Sequence, residues 1–296
     1  MQYYNSNTTL YLNGQFEKAA EATTDLYGQS LHYGYAVFEG IRAYHTHNGT
    51  RIFKARAHFE RLKKSAELVA MPFPWDIDDL INKTYKVLEI NNLKDAYIRP
   101  LVYCPANMSL IAGNDASIMI CAWDWGAYLG HKLLKVCISE YERPNPKSTP
   151  IQAKVSGNYV NSILATTAAK RKGFDEALLL DMNGNIAEAP GANIFIEKKG
   201  KLYTPALGNI LAGITRATII ELCHVLDIEI IEKQLTVKDL KQADSAFFCG
   251  TATEIAGISL VDEYHFPLKW TDSAGATLQR TYKNLVLEKQ NYEVII

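Results

Sequence analysis

Several side chains in the sequence have types and neighbours suited to chemistry. Lys154 lies among small and apolar residues just before a predicted helix, where a lysine can lose its proton and act as a nucleophile, including as a Schiff base. A lysine exposed to solvent is the alternative. Tyr97 and Arg99 alternate along a predicted strand and project from one face, which suits either carboxylate recognition or a structural salt bridge. Glu188, at the edge of a strand, indicates little by itself.

Two turns made of glycine and small residues are suited to binding a phosphate. Gly213 precedes Ile214 and Thr215 at the predicted start of a helix, whose free N–H groups and dipole favour an anion. Thr215 as an ordinary N-cap is the alternative. The second turn, at 248–253, is either another anion-binding turn or a plain loop. Together, a reactive lysine, two phosphate turns, an acid and a carboxylate clamp are the groups that pyridoxal phosphate requires.

The remaining composition argues against other classes of protein. The 296 residues include 31 basic and 32 acidic side chains, a balance that argues against a nucleic-acid-binding protein. The sequence has no G-x-x-x-x-G-K-[ST], G-x-G-x-x-G or H-E-x-x-H motif. His45 and His47 have no further ligands nearby, so we predict no metal site. The five cysteines are scattered and odd in number, and we find neither a signal peptide nor a membrane helix, which predicts a cytoplasmic protein.

Turn and periodicity signals predict the elements that position these residues. Asn-Gly and Lys-Gly pairs between β-prone runs predict antiparallel hairpins at 8–16, 41–53, 177–187 and 193–203. Apolar residues at helical spacing predict helices over 59–69, over 77–88 behind a cap at Asp76, from Tyr159 to near Gly173, and over 219–226 behind Thr215. Hairpins mixed with helices indicate an α+β architecture. A domain boundary is predicted at 126–132, with the smaller domain before it.

Taken in order, these segments resemble the branched-chain aminotransferases of the class IV, fold type IV, pyridoxal-phosphate enzymes. The matching segments cover residues 10 to 260 and include LHYG at 31–34, VFEGIR at 37–42, HFERL at 58–62, YIRP at 97–100, WGAYLG at 125–130, the segments around Lys154 and Glu188, GITR at 213–216 and GTA at 250–252. Pro190 departs from many class IV members, which have a small residue there.

The resemblance implies a fold like that of D-amino-acid aminotransferase, with the cofactor at the interface of two domains. The smaller α/β domain would span residues 1–125, the loop 126–132, and the larger domain, with a barrel-like β core, 133–296. Lys154 would carry pyridoxal 5'-phosphate through a Schiff base and later move the proton of the substrate. The other cofactor contacts implied are Arg61, Ile214, Thr215 and Thr251 at the phosphate, Tyr159 at the phenolic oxygen and Glu188 at the pyridine nitrogen.

The resemblance also implies a substrate pocket and a homodimer or higher homo-oligomer. Tyr97 and the amides of Thr251 and Ala252 would bind the α-carboxylate, and Arg99 the second carboxylate of glutamate. The apolar pocket would be formed by Phe38, Gly40, Trp125, Tyr128 and Tyr159, with Tyr33 from a neighbouring subunit. The implied activity is reversible ping-pong transfer of the amino group from L-leucine, L-isoleucine or L-valine to 2-oxoglutarate, with small molecules rather than nucleic acid or a membrane as partners.

Three alternatives share much of this pattern. D-amino-acid aminotransferases and aminodeoxychorismate lyases have the same fold type, and fold alone does not fix function. A non-catalytic pyridoxal-phosphate carrier is the third. Phe38, Trp125 and the pair Tyr97 and Arg99 favour the branched-chain enzyme, and the set of Lys154 with its cofactor contacts argues against a carrier. The sequence does not rank leucine, isoleucine and valine, because one methylene changes binding by only about 1–3 kcal/mol.

Overall fold

The structure, a computed structural model, describes residues 3–125 and 132–289. These residues form two compact units. The first consists of 3–125 together with Ala153–Asn158, and the second of 132–152 and 159–289. The segment that carries Lys154 therefore belongs to the first unit. Residues 126–131, most of the predicted interdomain loop, lie outside the described part.

Within the described part of the first unit, seven strands form one sheet. They are β1 Thr9–Leu12, β2 Gln15–Lys18, β3 Ala36–Phe38, β4 Ile41–Thr46, β5 Gly49–Ile52, β6 Ala96–Tyr103 and β7 Ser117–Trp123. The order is β2-β1-β7-β6-β4-β5, and β3 also pairs with β6. All of these pairings are antiparallel, as expected of a sheet built from hairpins.

Local turn chemistry explains the two hairpins of this sheet. Asn13 and Gly14 have φ angles of 44° and 97°, the positive values that a two-residue turn between twisted strands needs. The hairpin predicted at 8–16 is thus confirmed. The hairpin predicted at 41–53 is confirmed as well, because β4 pairs with β5. Thr46 is paired with Gly49 there, so His47 and Asn48 form the turn and Gly49 adopts the positive φ of 94°.

Three helices accompany the sheet: α1 Gln29–Tyr33, α2 Ala55–Leu68 and α3 Ile77–Ile90. The Asp76 side chain accepts a hydrogen bond from the Asp79 N–H (2.9 Å), which confirms the predicted cap of α3. Apolar side chains of α2 and α3 share a core with one face of the sheet. The helices contribute Phe59, Leu62, Leu80 and Val87 to this core, and β6 contributes Ile98 and Val102. Because strand side chains alternate, Tyr97 and Arg99 lie on the opposite face of β6.

Within the described part of the second unit, eight strands form a mixed sheet. They are β8 Leu134–Ile138, β9 Glu176–Leu178, β10 Asn193–Lys198, β11 Lys201–Thr204, β12 Ile230–Glu232, β13 Ser245–Gly250, β14 Glu254–Val261 and β15 Tyr264–His265. The order is β12-β11-β10-β13-β14-β8-β9, with β15 paired to β14. The hairpin predicted at 193–203 is confirmed by β10 and β11, and the one at 177–187 is a short antiparallel bridge between Leu180 and Ile186.

The helices of this unit are α4 Tyr159–Arg171, α5 Ile214–Val225, α6 Val237–Leu240 and α7 Ala274–Val286. Helix α4 begins at Tyr159, as predicted. The prediction that Thr215 is the N-cap of the next helix is wrong, because Gly213 is the N-cap and Thr215 lies inside the first turn. A side chain has no space at 213, since an ideal Cβ there would lie 2.0 Å from Asn193 Oδ1.

The helices in both units are short. Over residues 3–125 and 132–289, none combines the length and the apolar character that crossing a bilayer requires. The α+β content, with one sheet and accompanying helices in each unit, agrees with the prediction from the hairpin and helix signals.

Candidate active site

The first unit holds Lys154 in a tight turn beside the end of β3, where Val155 forms a bridge with Val37 and its N–H donates to the Ala153 carbonyl oxygen (2.9 Å). Ala153 and Val155 are buried in the core of the unit, whereas Lys154 is only partly buried. The Phe38 N–H donates to the Lys154 carbonyl oxygen (3.1 Å), and the Lys154 N–H donates to Ser65 Oγ (3.0 Å). The amine Nζ lies 4.9 Å from the centre of the Phe38 ring. The lysine is thus half-buried on a backbone fixed from two sides.

Directly after Phe38, a buried carboxylate binds an arginine and a histidine from α2. Glu39 accepts hydrogen bonds from Arg61 Nε at Oε1 (2.6 Å) and from Arg61 Nη2 at Oε2 (2.8 Å). His58 Nδ1 lies 2.7 Å from Glu39 Oε2. Burial raises the pKa of Glu39, but the charge of Arg61 and the hydrogen bonds from His58 and Arg61 outweigh burial and hold it well below its usual range. Glu39 is therefore ionised and accepts the Nδ1–H of His58.

Aromatic rings surround Arg99 on the face of the sheet opposite α2 and α3. The Arg99 Cζ atom lies 4.5 Å from the centre of the Phe38 ring and 5.5 Å from that of Tyr97, within cation–π range. Arg99 Nη2 donates a long hydrogen bond of 3.4 Å to Tyr97 Oη, and the Tyr97 ring lies 4.6 Å from that of Trp125. Lys154 and Arg99 thus approach the same Phe38 ring, and the arrangement combines two cations with apolar walls.

Gly40 leaves the space in which the Tyr97 hydroxyl lies. An ideal Cβ at position 40 would meet Tyr97 Oη at 1.9 Å and Cζ at 2.8 Å. Any other residue would displace the ring or the strand. Arg61 also belongs to this group, because it donates to Glu39, the residue that follows Phe38. In the first unit the structure therefore brings together the predicted residues Lys154, Phe38, Gly40, Tyr97, Arg99, Trp125 and Arg61.

In the second unit, Glu188 is the centre of a buried polar network. Its Oε1 lies 2.8 Å from Arg143 Nη2 and accepts a hydrogen bond from the Leu211 N–H (3.1 Å). Its Oε2 accepts one from Asn193 Nδ2 (3.0 Å), which also donates to the Leu211 carbonyl oxygen. The Glu188 and Arg143 side chains are 6% and 10% exposed. A guanidinium and two neutral donors thus stabilise the carboxylate as an anion.

The same network reaches the start of α5. The first hydrogen bond of this helix runs from the Ala217 N–H to the Gly213 carbonyl oxygen. The N–H groups of Ile214 and Thr215 precede it, so they have no acceptor within the helix. Thr251 and Ala252 lie in the turn that joins β13 to β14. In the second unit the structure therefore brings Glu188 together with the helix start, while Tyr159 begins α4, whose Ser162 Oγ donates to the Pro190 carbonyl oxygen (2.7 Å).

Two predicted residues stand apart from these groups. Tyr33 is half-exposed at the end of α1, and its hydroxyl donates to the Met108 carbonyl oxygen (3.3 Å). Tyr128 lies outside the described residues.

Sequence reasoning missed Glu39, His58, Arg143 and, apart from its spacing, Asn193. One signal was available for His58, since the i, i+3 spacing with Arg61 places both on one face of a helix. Arg143 follows no periodic pattern, because its partner Glu188 lies 45 positions further along the chain.

These side chains fit pyridoxal phosphate. The first unit offers a half-buried amine beside an aromatic ring and an arginine in a fixed orientation. The second offers a buried carboxylate for a ring nitrogen and helix N–H groups for a phosphate. Arg99 Nε and Arg143 Nε are among the buried polar atoms that have no hydrogen-bond partner in the described residues.

Comparison with known proteins agrees with this geometry. The amino-transferase class IV family matches residues 36–261. A branched-chain-amino-acid aminotransferase of Pseudomonas aeruginosa is 40% identical over 286 residues, which cover 95% of this chain and 93% of the relative. The solved branched-chain aminotransferase of Thermoproteus uzoniensis with norvaline has a TM-score of 0.93 at 36% identity and covers 96% of each chain.

A second solved structure contains a cofactor derivative. It is the T.th. branched-chain amino acid aminotransferase complexed with N-(5'-phosphopyridoxyl)-L-glutamate, with a TM-score of 0.91 at 35% identity over 96% of this chain and 95% of the other. These likenesses confirm the predicted α+β fold of the fold type IV enzymes. The chain belongs to the class IV amino-transferase family.

Proposed function

We propose that this chain is a branched-chain-amino-acid aminotransferase. It transfers the amino group of L-leucine, L-isoleucine or L-valine reversibly to 2-oxoglutarate, in a ping-pong reaction that depends on pyridoxal 5'-phosphate. The observation that carries the proposal is that the Lys154 amine and the Arg99 guanidinium both contact the Phe38 ring. A nucleophilic amine and a carboxylate-binding cation thus lie beside the same apolar ring.

The relatives support this activity over the alternatives. The relatives compared above are named as branched-chain aminotransferases, and they match nearly the whole chain at 35–40% identity. One binds norvaline, an apolar amino acid, and another a phosphopyridoxyl derivative of glutamate. We carry both substrate classes over to this chain. The names give no support to a D-amino-acid aminotransferase or an aminodeoxychorismate lyase.

In our proposal the residues that the sequence resemblance implied hold the cofactor. Lys154 binds it covalently, and Arg61, the N–H groups of Ile214 and Thr215, and Thr251 bind its phosphate. Tyr159 donates to the phenolic oxygen, and Glu188 faces the pyridine nitrogen. The fixed orientation of Arg61 against Glu39 and the network around Glu188 support these assignments.

The protein side chains then divide the chemistry. When bound, pyridoxal phosphate supplies an electron sink for the charge left at the substrate Cα. With its amine free, Lys154 would take the proton from the substrate Cα as a general base and would later donate it as a general acid. Glu188 keeps a proton on the ring nitrogen, because a buried anion favours a positive charge beside it.

Substrate binding requires one pocket to accept an apolar side chain and a carboxylate. In our proposal Tyr97 and the N–H groups of Thr251 and Ala252 bind the α-carboxylate. The rings of Phe38, Trp125, Tyr128 and Tyr159 contact a branched side chain, and Arg99 binds the second carboxylate of glutamate. The cation–π contacts support this dual role, since the rings stabilise the guanidinium when the occupant is apolar.

We also propose a homodimer that works in the cytoplasm. Leu110 and Ile111 are 87% and 76% exposed, and Leu26, Tyr27 and Leu31 are exposed as well. The Asn107 N–H donates to the Tyr27 carbonyl oxygen, so both segments form one apolar surface, of a kind that marks interfaces. A second copy would bring Tyr33, which lies on the same surface, to the neighbouring site. The five free cysteines support a reducing compartment.

The decisive experiment is an absorption spectrum of the purified protein with cofactor, followed by addition of L-leucine without an oxo acid. Loss of the visible cofactor band and gain of a near-ultraviolet band support the proposal. A visible band that responds to D-alanine and not to L-leucine, or release of pyruvate from aminodeoxychorismate, would instead support an alternative. Absence of any band would refute cofactor binding.

A variant tests the proposed role of the lysine. Lys154→Ala should fold normally and lose at least about a thousandfold in turnover, because general base catalysis and covalent binding disappear together. Lys201→Ala, which removes an exposed amine paired with Glu229, is the control and should retain full turnover. Near-normal turnover in Lys154→Ala would refute the mechanism.

Analytical ultracentrifugation tests the proposed dimer. The protein should sediment at twice the chain mass of 33.1 kDa, and Ile111→Asp should sediment as a monomer.

A further inference from the structure

Glu39 is the most deeply buried carboxylate of the first unit for which the structure gives contacts, and the proposed mechanism does not use it. Its side chain is 0% exposed, and that of His58 is 2% exposed. Taking a carboxylate out of water is costly unless it is paired and hydrogen-bonded. Glu39 meets this condition with three contacts, all from α2: Arg61 Nε, Arg61 Nη2 and His58 Nδ1. So complete a network around one charge indicates a specific task.

The geometry of the pair fixes the plane of the Arg61 guanidinium. Two parallel N–H···O bonds to the two oxygens of one carboxylate leave a planar guanidinium little freedom to rotate. The Nε and Nη2 edge faces Glu39, so Nη1 points away from it. The Arg61 side chain is 14% exposed, so the guanidinium is largely enclosed by the protein. Glu39 therefore determines where the arginine presents its charge.

His58 fixes the carboxylate in turn. Burial lowers the pKa of His58 despite the opposing effect of Glu39, so the imidazole is neutral near pH 7. A neutral imidazole that donates its Nδ1–H orients Glu39 without adding a second positive charge. The backbone contributes as well, because the Glu39 N–H donates to the Pro100 carbonyl oxygen (3.0 Å). The carboxylate is thus attached to both β6 and α2.

We propose that Glu39, supported by His58, is a positioning residue that orients Arg61 for the phosphate of the cofactor. This inference rests on the proposed function, in which Arg61 binds that phosphate. Because the arginine is ordered before the ligand arrives, binding does not have to immobilise a long flexible side chain. Removing Glu39 should therefore weaken recognition of the phosphate and leave the attachment at Lys154 unchanged.

The experiment compares two ligands that differ only in the phosphate. Binding of pyridoxal phosphate and of pyridoxal is titrated by absorbance in cofactor-free protein. The dissociation constant of pyridoxal divided by that of pyridoxal phosphate measures phosphate recognition, and a smaller ratio means weaker recognition. Glu39→Gln should reduce this ratio roughly tenfold, the effect of ordering one flexible side chain, with little change for pyridoxal. The control is Asp78→Asn, which removes the partner of Arg56, another arginine of α2, on the exposed surface. It should leave the ratio unchanged.

Variants of Arg61 distinguish a failure of the proposed Arg61 role from a failure of the proposed Glu39 role. Arg61→Ala should reduce the ratio more than Glu39→Gln, and adding Glu39→Gln to Arg61→Ala should reduce it no further. If Arg61→Ala leaves the ratio unchanged, the assignment of Arg61 in the proposed function fails. If Arg61→Ala reduces the ratio but Glu39→Gln weakens both ligands equally or neither, the positioning role fails.

A shorter acid covers the case in which Glu39→Gln does not fold. Glu39→Asp keeps the charge but is one methylene too short to hold both nitrogens of Arg61 at 2.6 and 2.8 Å. It should also lower the ratio while binding pyridoxal normally. An unchanged ratio in Glu39→Asp would overturn the proposal.

Discussion

Replacing Gly40 with alanine tests whether the position of Tyr97 controls catalysis. The added Cβ would lie 1.9 Å from Tyr97 Oη, whereas ordinary contact begins at 3.4 Å. The hydroxyl must therefore move by about 1.5 Å, the difference between these two distances. The Tyr97 ring cannot turn aside freely, because the rings of Trp125 and Trp123 lie 4.6 and 5.2 Å from it. The displacement is then transmitted to the proposed carboxylate contact.

A misplacement of 1 Å at a reacting site can cost roughly a hundredfold in rate. We therefore expect Gly40→Ala to lower kcat/KM for L-leucine by about 100-fold, measured in a coupled transamination assay. The matched control is Gly113→Ala, where the nearest atom, Asn107 Nδ2, lies at 3.4 Å from the new Cβ. This variant of the same unit should retain wild-type kcat/KM.

A double variant identifies the atom responsible. Tyr97→Phe removes the oxygen that the new Cβ would meet, so adding Gly40→Ala to Tyr97→Phe should cost clearly less than adding it to the wild type. Two results would refute the reasoning: a kcat/KM for Gly40→Ala within threefold of the wild type, or an equal loss in the Tyr97→Phe background. Either would mean that Tyr97 does not act through its hydroxyl at this position.

Three further predictions concern buried charges and thiols. Arg143→Met leaves Glu188 without its counterion and should destabilise the protein by roughly 3–5 kcal/mol. With an unfolding entropy of about 2.1 cal/mol/K per residue over 296 residues, this corresponds to a fall in Tm of roughly 5–8 °C. The control Lys201→Met, at an exposed ion pair, should change Tm by less than about 2 °C. A Tm loss of equal size in both variants would contradict this. Because Arg61 and His58 lower the pKa of Glu39, that carboxylate adds stability above about pH 4.5 that is lost as the pH falls further; acid titration of Glu39→Gln should show a flatter decline than the wild type, and identical curves would disprove the coupling. Burial raises the pKa of Cys121 to about 11, so alkylation at pH 8 should be about a hundredfold slower than that of a free cysteine, and mass spectrometry showing rapid labelling would exclude this environment.

Local signals account for what the sequence predicted correctly. The turn at Asn13-Gly14, the cap at Asp76 and the start of α4 at Tyr159 each depend on residues within a few positions of one another. Such features follow from local backbone preferences, which at these positions agree with the overall fold. The prediction of Lys154 rests on signals of the same kind, because its small and apolar neighbours and the following helix are adjacent in sequence.

The features that the sequence did not predict depend on distant partners. Thr215 has the right chemistry for an N-cap, yet Gly213 is the N-cap of α5, at a position where Asn193, on β10, leaves no space for a side chain. Glu39 and Arg61 lie 22 positions apart, so no periodic pattern in the sequence links them. A single sequence holds no signal for such pairs unless the tertiary fold is known.

The charges of the site follow one physical rule with an informative exception. A buried charge needs its own counterion, and each unit supplies one: Glu39 for Arg61 in the first, Arg143 for Glu188 in the second. The charges of Arg61 and Glu188 are therefore each compensated within their own unit before any ligand binds. Arg99 is different, because aromatic rings surround it and its Nε has no partner among the described residues. Among the residues that the structure describes, ring faces and one long hydrogen bond are the contacts of its guanidinium. This leaves it the capacity to bind a carboxylate, as the proposed acceptance of both leucine and glutamate requires.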